Sequence, residues 1–106
     1  MDPLSREALE ILASYFRLLA SATRLDLMQR ICDTERSVGE LVDLTGQKQT
    51  NVSKHLAQMH QAGLVRRRAQ GGQAFYSLSQ EALVRVCEVM REVVLNTHRE
   101  CRDCLR

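Results

Sequence analysis

The feature that most constrains the fold is a short helical pattern followed by a Gly-Gly hairpin, both in the middle of the chain. Val52, Leu56 and Met59 recur at spacings of four and three, which predicts a helix that buries this stripe and ends near residue 61. Two β-prone runs then flank the Gly71-Gly72 pair, and this arrangement predicts a β-hairpin over residues 64–78.

Another short helix is predicted just before this one. Ser37 and Glu40 have the spacing of a capping box, and Gly46 can take the left-handed conformation that ends a helix. Two short helices joined by a tight glycine turn predict a helix-turn-helix over residues 37–61, and a basic hairpin directly after it is typical of a wing. We therefore predict a mainly α winged helix-turn-helix with five helices.

The same region is free of acidic residues. Residues 45–80 contain no Asp or Glu but five bases, whereas the rest of the chain has 13 acids and ten bases. A solvated surface that happens to lack acids is the plain alternative. Combined with the helix and hairpin pattern, the charge separation favours a surface for a polyanion, namely double-stranded DNA.

The two ends of the chain carry longer apolar stripes, over residues 1–20 and 80–106. Asp2 and Pro3 predict the start of the first helix. The last helix repeats a four-three spacing at Leu83, Cys87, Met90, Val94, Thr97, Cys101 and Cys104. Such a seam suits helix packing against helix, so we predict an α-helical homodimer interface that includes Leu12, Tyr15, Leu83, Met90 and Val94.

Length and composition bound the class of protein. A chain of 106 residues forms one domain. It contains no apolar run near the roughly 18 residues of a membrane span, and its N-terminus lacks the order of a signal peptide. These features predict a cytoplasmic protein without a membrane partner, in which the four cysteines are mostly reduced.

Taken together, these residues resemble the ArsR/SmtB family of small winged-helix transcriptional repressors. Five segments covering nearly the whole chain carry the resemblance: residues 19–25 (Leu-Ala-Ser-Ala-Thr-Arg-Leu), 37–41 (Ser-Val-Gly-Glu-Leu), 52–56 (Val-Ser-Lys-His-Leu), 62–65 (Ala-Gly-Leu-Val) and 75–78 (Phe-Tyr-Ser-Leu). The resemblance implies a dimer, joined by its first and last helices, that binds operator DNA until an inducer, usually a metal ion, releases it.

The residues expected to contact DNA lie on the helix and on the wing. In the major groove of each half-site we expect the polar front of the helix: Gln49, Thr50, Asn51, Ser53 and Lys54. The wing supplies Arg66, Arg67 and Arg68. Because successive side chains on a strand alternate sides, at most two of these arginines should reach phosphate or the minor groove.

The resemblance does not extend to the family's familiar metal sites. One such site uses a Cys-Val-Cys-Asp-Leu pattern, and the matching residues 37–41 hold Ser37 and Gly39 in place of both thiols. Another site uses acidic and histidine ligands along the last helix. Its matching positions, which form no zinc ligand set, are Gln80, Ala82, Val93 and Asn96.

A thiol-based sensor is predicted instead. Cys101 and Cys104, three residues apart, share one face of a continuing helix, and Cys32 and Cys87 either join them or serve as packing residues. No cofactor is required. Thiolates favour a soft inducer, first As(III), with Cd(II), Pb(II), Cu(I) or Zn(II) as further options. Oxidation or reactive-sulfur sensing through Cys32 with Cys101 or Cys104, and a repressor with no metal site, remain alternatives.

Two other function classes fit less well. A Cys-x-x-Cys oxidoreductase places its motif at a helix N-terminus, whereas here the motif lies toward a helix C-terminus, where the dipole opposes thiolate formation. A winged helix that binds protein commonly loses its basic wing, which this chain retains. We therefore expect a DNA-binding regulator and not an enzyme.

Overall fold

The computed structural model describes residues 1–98 and contains five helices and three strands within them. This architecture confirms the winged helix-turn-helix predicted from the sequence. None of the helices in this part of the chain is long and apolar enough to cross a membrane. The elements are α1 (Arg6–Leu19), α2 (Ala22–Ile31), β1 (Arg36–Ser37), α3 (Val38–Thr45), α4 (Gln49–Gln61), β2 (Val65–Gln70), β3 (Gln73–Leu78) and α5 (Glu81–Thr97).

Local signals explain the ends of α3. The Ser37 hydroxyl accepts a hydrogen bond from the Glu40 amide at 3.1 Å, and the Glu40 carboxylate accepts one from the Ser37 amide at 3.1 Å. This is the predicted capping box. Gly46 ends the helix at φ 71°, in the left-handed region that glycine occupies without strain.

The predicted start of α1 at Pro3, capped by Asp2, is wrong. The N-cap is Ser5, whose hydroxyl accepts from the Ala8 amide at 3.2 Å. Serine caps a helix as well as aspartate does. Ser5, directly before the first helical residue Arg6, therefore serves as the cap in place of Asp2. α4 begins at Gln49, with Lys48 as its N-cap.

The wing belongs to a three-stranded antiparallel sheet of order β1-β3-β2. The hairpin register runs from the pair Val65 and Leu78 to the pair Gln70 and Gln73, and the intervening turn uses two glycines with positive φ. β1 was not predicted from the sequence. It has two residues and exists as a strand because it pairs with the central strand β3.

The core lies between α2, α3, α4 and the sheet. Its buried apolar residues, which include the predicted inward stripe of α4, are Leu27, Met28, Ile31, Leu41, Val52, Leu56, Met59, Leu64, Val65, Tyr76 and Leu78. The end helices reach this core only through short stretches. Those residues are Tyr15, Leu18 and Leu19 of α1 and Leu83, Val84 and Cys87 of α5.

The remaining lengths of α1 and α5 project from the core. Neither helix has a fully buried residue, and both expose large apolar side chains, such as Phe16 at 59% and Val89 at 54%. The radius of gyration is 15.1 Å, larger than the roughly 13 Å expected of a compact domain of about 100 residues. The end helices therefore present apolar surface that this chain does not cover by itself.

Candidate nucleic-acid interface

The exposed face of α4 is opposite its core stripe. Leu56 and its neighbours on the inner face are fully buried, and this packing leaves the side chains of Gln49, Thr50, Ser53 and Lys54 exposed. Asn51, predicted to belong to the same face, is half-buried, and its Nδ2 donates to Gln47 Oε1 at 2.9 Å. The exposed front therefore combines short hydroxyl side chains, one amide and one cation.

The flank of α4 that faces α1 and α2 is held by Arg24. Its Nε donates to His55 Nδ1 at 2.9 Å, its Nη1 donates to the Leu18 carbonyl at 2.7 Å, and its Nη2 donates to Gln58 Oε1. Sequence reasoning did not identify Arg24 as a functional residue. It stands in one of the family-like segments, but its partners on α4 are more than 30 residues away, beyond the range of any local pattern.

The three wing arginines are all exposed, but they differ in their partners. Arg68 donates from Nε to both carboxylate oxygens of Glu35, at 3.0 and 3.1 Å, and from Nη2 to Oε1 at 2.6 Å. Its guanidinium carbon also lies 4.8 Å from the centroid of the Phe75 ring. The hydrogen bond from Arg68 lowers the pKa of the Glu35 carboxyl. Within residues 1–98, Arg66 and Arg67 make no ion pair.

A cleft of about 300 Å³ separates the front of α4 from the wing turn. It carries no charged side chain, and it is lined by Ser37, Val38, Gly39, Gln49, Ser53, Gly72, Gln73 and Ala74. Ser37 and Gly39, the positions where the family-type pattern would require thiols, thus border this cleft. The cleft offers amide and hydroxyl groups that can donate hydrogen bonds without presenting an acid.

The structure places two of the four predicted sensor thiols. Cys32 and Cys87 are both free and half-buried, and Cys32 Sγ donates to the Gln29 carbonyl at 3.1 Å. Burial, followed by Cys32 and then Glu88, raises the pKa of Cys87. Cys101 and Cys104 lie outside the described residues. Within residues 1–98, no three candidate ligands cluster to hold a metal ion.

The residues predicted for the dimer interface divide into two groups. Leu12, Met90 and Val94 are exposed, at 39%, 51% and 41%. Exposure in the single chain is compatible with the predicted contacts to a second protomer. Tyr15 and Leu83 are half-buried and pack against the core of their own chain.

A comparison with protein families matches residues 21–67 to the bacterial regulatory proteins of the arsR family. The chain is 40% identical over 80 residues to the HTH-type transcriptional regulator KmtR of Mycobacterium tuberculosis, a match that covers 76% of this chain and 62% of KmtR. It is 31% identical over 77 residues to the transcriptional activator HlyU of Vibrio cholerae, covering 73% of this chain and 71% of HlyU.

Solved structures show the same architecture. Reduced HlyU from Vibrio cholerae superimposes with a TM-score of 0.76 at 28% identity, covering 82% of this chain and 92% of HlyU. Mb0332 from Mycobacterium bovis, described as a homodimeric winged helix-turn-helix DNA-binding domain, superimposes with a TM-score of 0.78 at 27% identity, covering 94% of both chains. These proteins are similar in sequence or fold, and the names they carry are those of regulators, which agrees with the expectation of a regulator and not an enzyme. The match spans less than two thirds of KmtR.

Proposed function

Since the chain belongs to the ArsR family of bacterial regulatory proteins, we propose that it is a homodimeric repressor of the ArsR/SmtB type. Each protomer inserts α4 into the major groove of one operator half-site and extends its wing along the neighbouring minor groove. Repression holds while the dimer occupies the operator, and an inducer that acts on cysteine thiols releases it.

The observation that carries this proposal is the arrangement of the α4 front, the cleft and the wing on one side of the molecule. A single phosphate backbone separates a major groove from the adjacent minor groove, so a strand must pass between a helix in one groove and a wing in the other. The uncharged cleft lies at that place. Lys54 is exposed on α4 next to Ser53, which lines the cleft. Arg66 and Arg67, which form no ion pair among residues 1–98, carry the exposed charge of the wing.

The dimer is supported by the uncovered apolar surface on α1 and α5. One winged helix makes few contacts with DNA, whereas two held at about one helical turn bind as a unit and gain greatly in affinity. A second copy of the chain, meeting α1 and α5 with its own α1 and α5, would cover this surface on both protomers at once.

The proposal is tested on an operator selected from a pool of randomised duplexes, with affinity measured by fluorescence anisotropy at several salt concentrations. Lys54→Ala and Arg67→Ala should each weaken binding and reduce the salt slope by about one, since each removes one phosphate contact. Arg85→Ala serves as control, because Arg85 is an exposed arginine on α5 away from the cleft.

Parental affinity and salt slope in both the Lys54 and the Arg67 variant would contradict this placement of the DNA. A parent that binds no duplex from the pool, although folded and dimeric, would contradict the proposed function as a whole.

We propose that the inducing signal reaches the thiols Cys101 and Cys104, with a third thiol where three ligands are needed. Three thiolates suit As(III), and Cd(II), Pb(II) and Zn(II) are further soft or borderline candidates. The Cys101→Ser/Cys104→Ser variant should bind operator as the parent does and stay bound when arsenite is added. If arsenite releases the variant at the same concentration as the parent, these thiols are not the sensor.

Cys32 and Cys87 are free thiols that pack against the same core, and this shared location supports a second candidate signal, oxidation. Two thiols form a disulfide with loss of two protons and two electrons, and a peroxide accepts them and is reduced to water. That a relative is described in a reduced form is in keeping with this chemistry. Peroxide should then release the Cys101→Ser/Cys104→Ser variant, with a mass loss of about 2 Da, and should not release Cys32→Ser.

A further inference from the structure

Arg24 occupies a place that is electrostatically unfavourable. It lies in the first turn of α2, where the helix dipole favours acidic residues and disfavours cations. No carboxylate within residues 1–98 forms an ion pair with it. Its position is therefore maintained by neutral hydrogen-bond acceptors, and the identity of those acceptors indicates what the residue does.

The three acceptors of Arg24 belong to two other helices. The Leu18 carbonyl lies in the last turn of α1, among the groups for which a helix supplies no backbone partner. His55 Nδ1 and Gln58 Oε1 lie three residues apart on one flank of α4. The Ser21 hydroxyl, which accepts from the Arg24 amide at 3.3 Å, fixes the backbone from which this side chain extends.

This geometry controls how α4 is turned about its axis. The core holds the helix along its inner stripe, which resists displacement of the helix more than rotation about its long axis. Two hydrogen bonds on the flank, to His55 and Gln58, fix that rotation. We propose that Arg24 is a positioning residue for the DNA-reading helix and that it performs this role only while His55 is uncharged; this inference rests on the proposed function.

The requirement for an uncharged His55 follows from the direction of the hydrogen bond. Nδ1 accepts from the Arg24 guanidinium, which never loses its proton, so a proton on Nδ1 would place two donors against each other. The charged groups acting on His55 are Arg24 from α2 and Lys54 from its own helix. The groove between α1 and α4 that Arg24 borders presents Tyr15 from α1 and no carboxylate.

Burial, then Arg24, then Lys54 lower the pKa of His55 below its ordinary value. A histidine with a lowered pKa in the folded state favours folding above its unfolded pKa of about 6.5, and this contribution is lost as the pH falls through the folded value. Protonation by itself would add positive charge near DNA and strengthen phosphate binding. A loss of operator affinity on acidification would therefore report the broken Arg24 hydrogen bond.

The test compares operator affinity between pH 8 and pH 5 for the full chain and for His55→Asn. Asparagine can place its carbonyl oxygen where Nδ1 lies and does not take up a proton in this range. We expect parental affinity to fall about tenfold as the pH falls through the lowered pKa of His55, the order of magnitude that one charge-assisted hydrogen bond supplies, while His55→Asn keeps an even profile. His60→Gln, which changes an exposed histidine on the same helix, should follow the parent.

Arg24→Lys provides the second measurement. Lysine keeps the charge but cannot reach three separated acceptors, so specific affinity should fall about tenfold while binding to random duplex and its salt slope stay unchanged. Circular dichroism at each pH establishes that the protein is folded. Identical pH profiles for the parent and His55→Asn, or full operator affinity in Arg24→Lys, would overturn the inference, whereas a parent that binds no DNA at pH 8 would overturn the proposed function.

Discussion

The segment from α2 to β3 and the two end helices follow the same rule of apolar periodicity but differ in how far one chain satisfies it. Every buried apolar residue of the described core belongs to the segment from α2 to β3. The end helices have comparable stripes and contain no fully buried residue. The difference teaches that the segment from α2 to β3, the reading half of the proposed function, is completed by its own contacts. The end helices instead leave apolar surface uncovered, which under the proposed function a second copy of the chain would cover.

The largest expected effect comes from charging the α5 seam. Met90→Glu/Val94→Glu should yield a folded monomer whose operator affinity is lower by about 10²–10⁴, the advantage that bivalent binding provides. Sedimentation and anisotropy measure the two effects. Leu95→Glu is the control, since Leu95 is an exposed apolar residue of α5 outside the four-three seam that contains Met90 and Val94. If the doubly charged variant is still a dimer, the α5 seam is not the surface that joins the protomers, and the contrast between the two regions fails.

The next effect lies in the core. Leu56→Ala should lower the free energy of unfolding by about 2–5 kcal/mol, because it removes a fully buried side chain and leaves a cavity. Leu44→Ala on α3, where the leucine is 40% exposed, should lower it by less than about 1 kcal/mol. Urea denaturation at one protein concentration compares the two variants, and equal losses of stability would contradict the assignment of Leu56 to the core and of Leu44 to the surface of this region.

The helix caps sharpen the comparison further. Ser37→Ala removes the capping box of α3 and should destabilise the whole domain by about 1 kcal/mol. Ser5→Ala removes the same kind of cap from the projecting end of α1, where the first turn can fray without opening the core. Hydrogen exchange should rise throughout the core for Ser37→Ala and only in the first turns of α1 for Ser5→Ala. The reverse pattern would contradict the division.

The smallest effect concerns the place where α5 meets the reading half. The raised pKa of Cys87 means that its protonated thiol favours the folded state, so this contribution is present below the unfolded pKa of about 8.5 and is lost as the pH rises through the folded value. Cys32→Ser should bring the Cys87 pKa partly back toward its usual value, because burial remains. The pH dependence of thiol labelling, in a Cys101→Ser/Cys104→Ser background, measures the shift. An unchanged Cys87 pKa in Cys32→Ser would show that Cys32 does not influence the Cys87 thiol.

Much of the fold was predictable because its signals are local. The Ser37 capping box acts within four residues, Gly46 and the Gly71-Gly72 turn require backbone conformations that glycine adopts readily, and the inner stripe of α4 repeats along one helix. Such patterns are satisfied by neighbours in the chain, so the sequence alone determined the helix-turn-helix, the hairpin that follows it and the acid-free segment. The predicted start of α1 was wrong because Asp2 and Ser5 are equivalent local caps and the helix uses only Ser5.

The tertiary structure decided what distant residues do to that face. Glu35, outside the acid-free segment, binds Arg68 and leaves two of the three wing arginines without an ion pair among the described residues. Arg24 reaches His55 across 31 residues, and β1 is a strand only because β3 lies beside it. These contacts depend on how packed helices and strands bring side chains together in space, and no periodicity along the chain encodes a distance between residues that meet only after the core has formed.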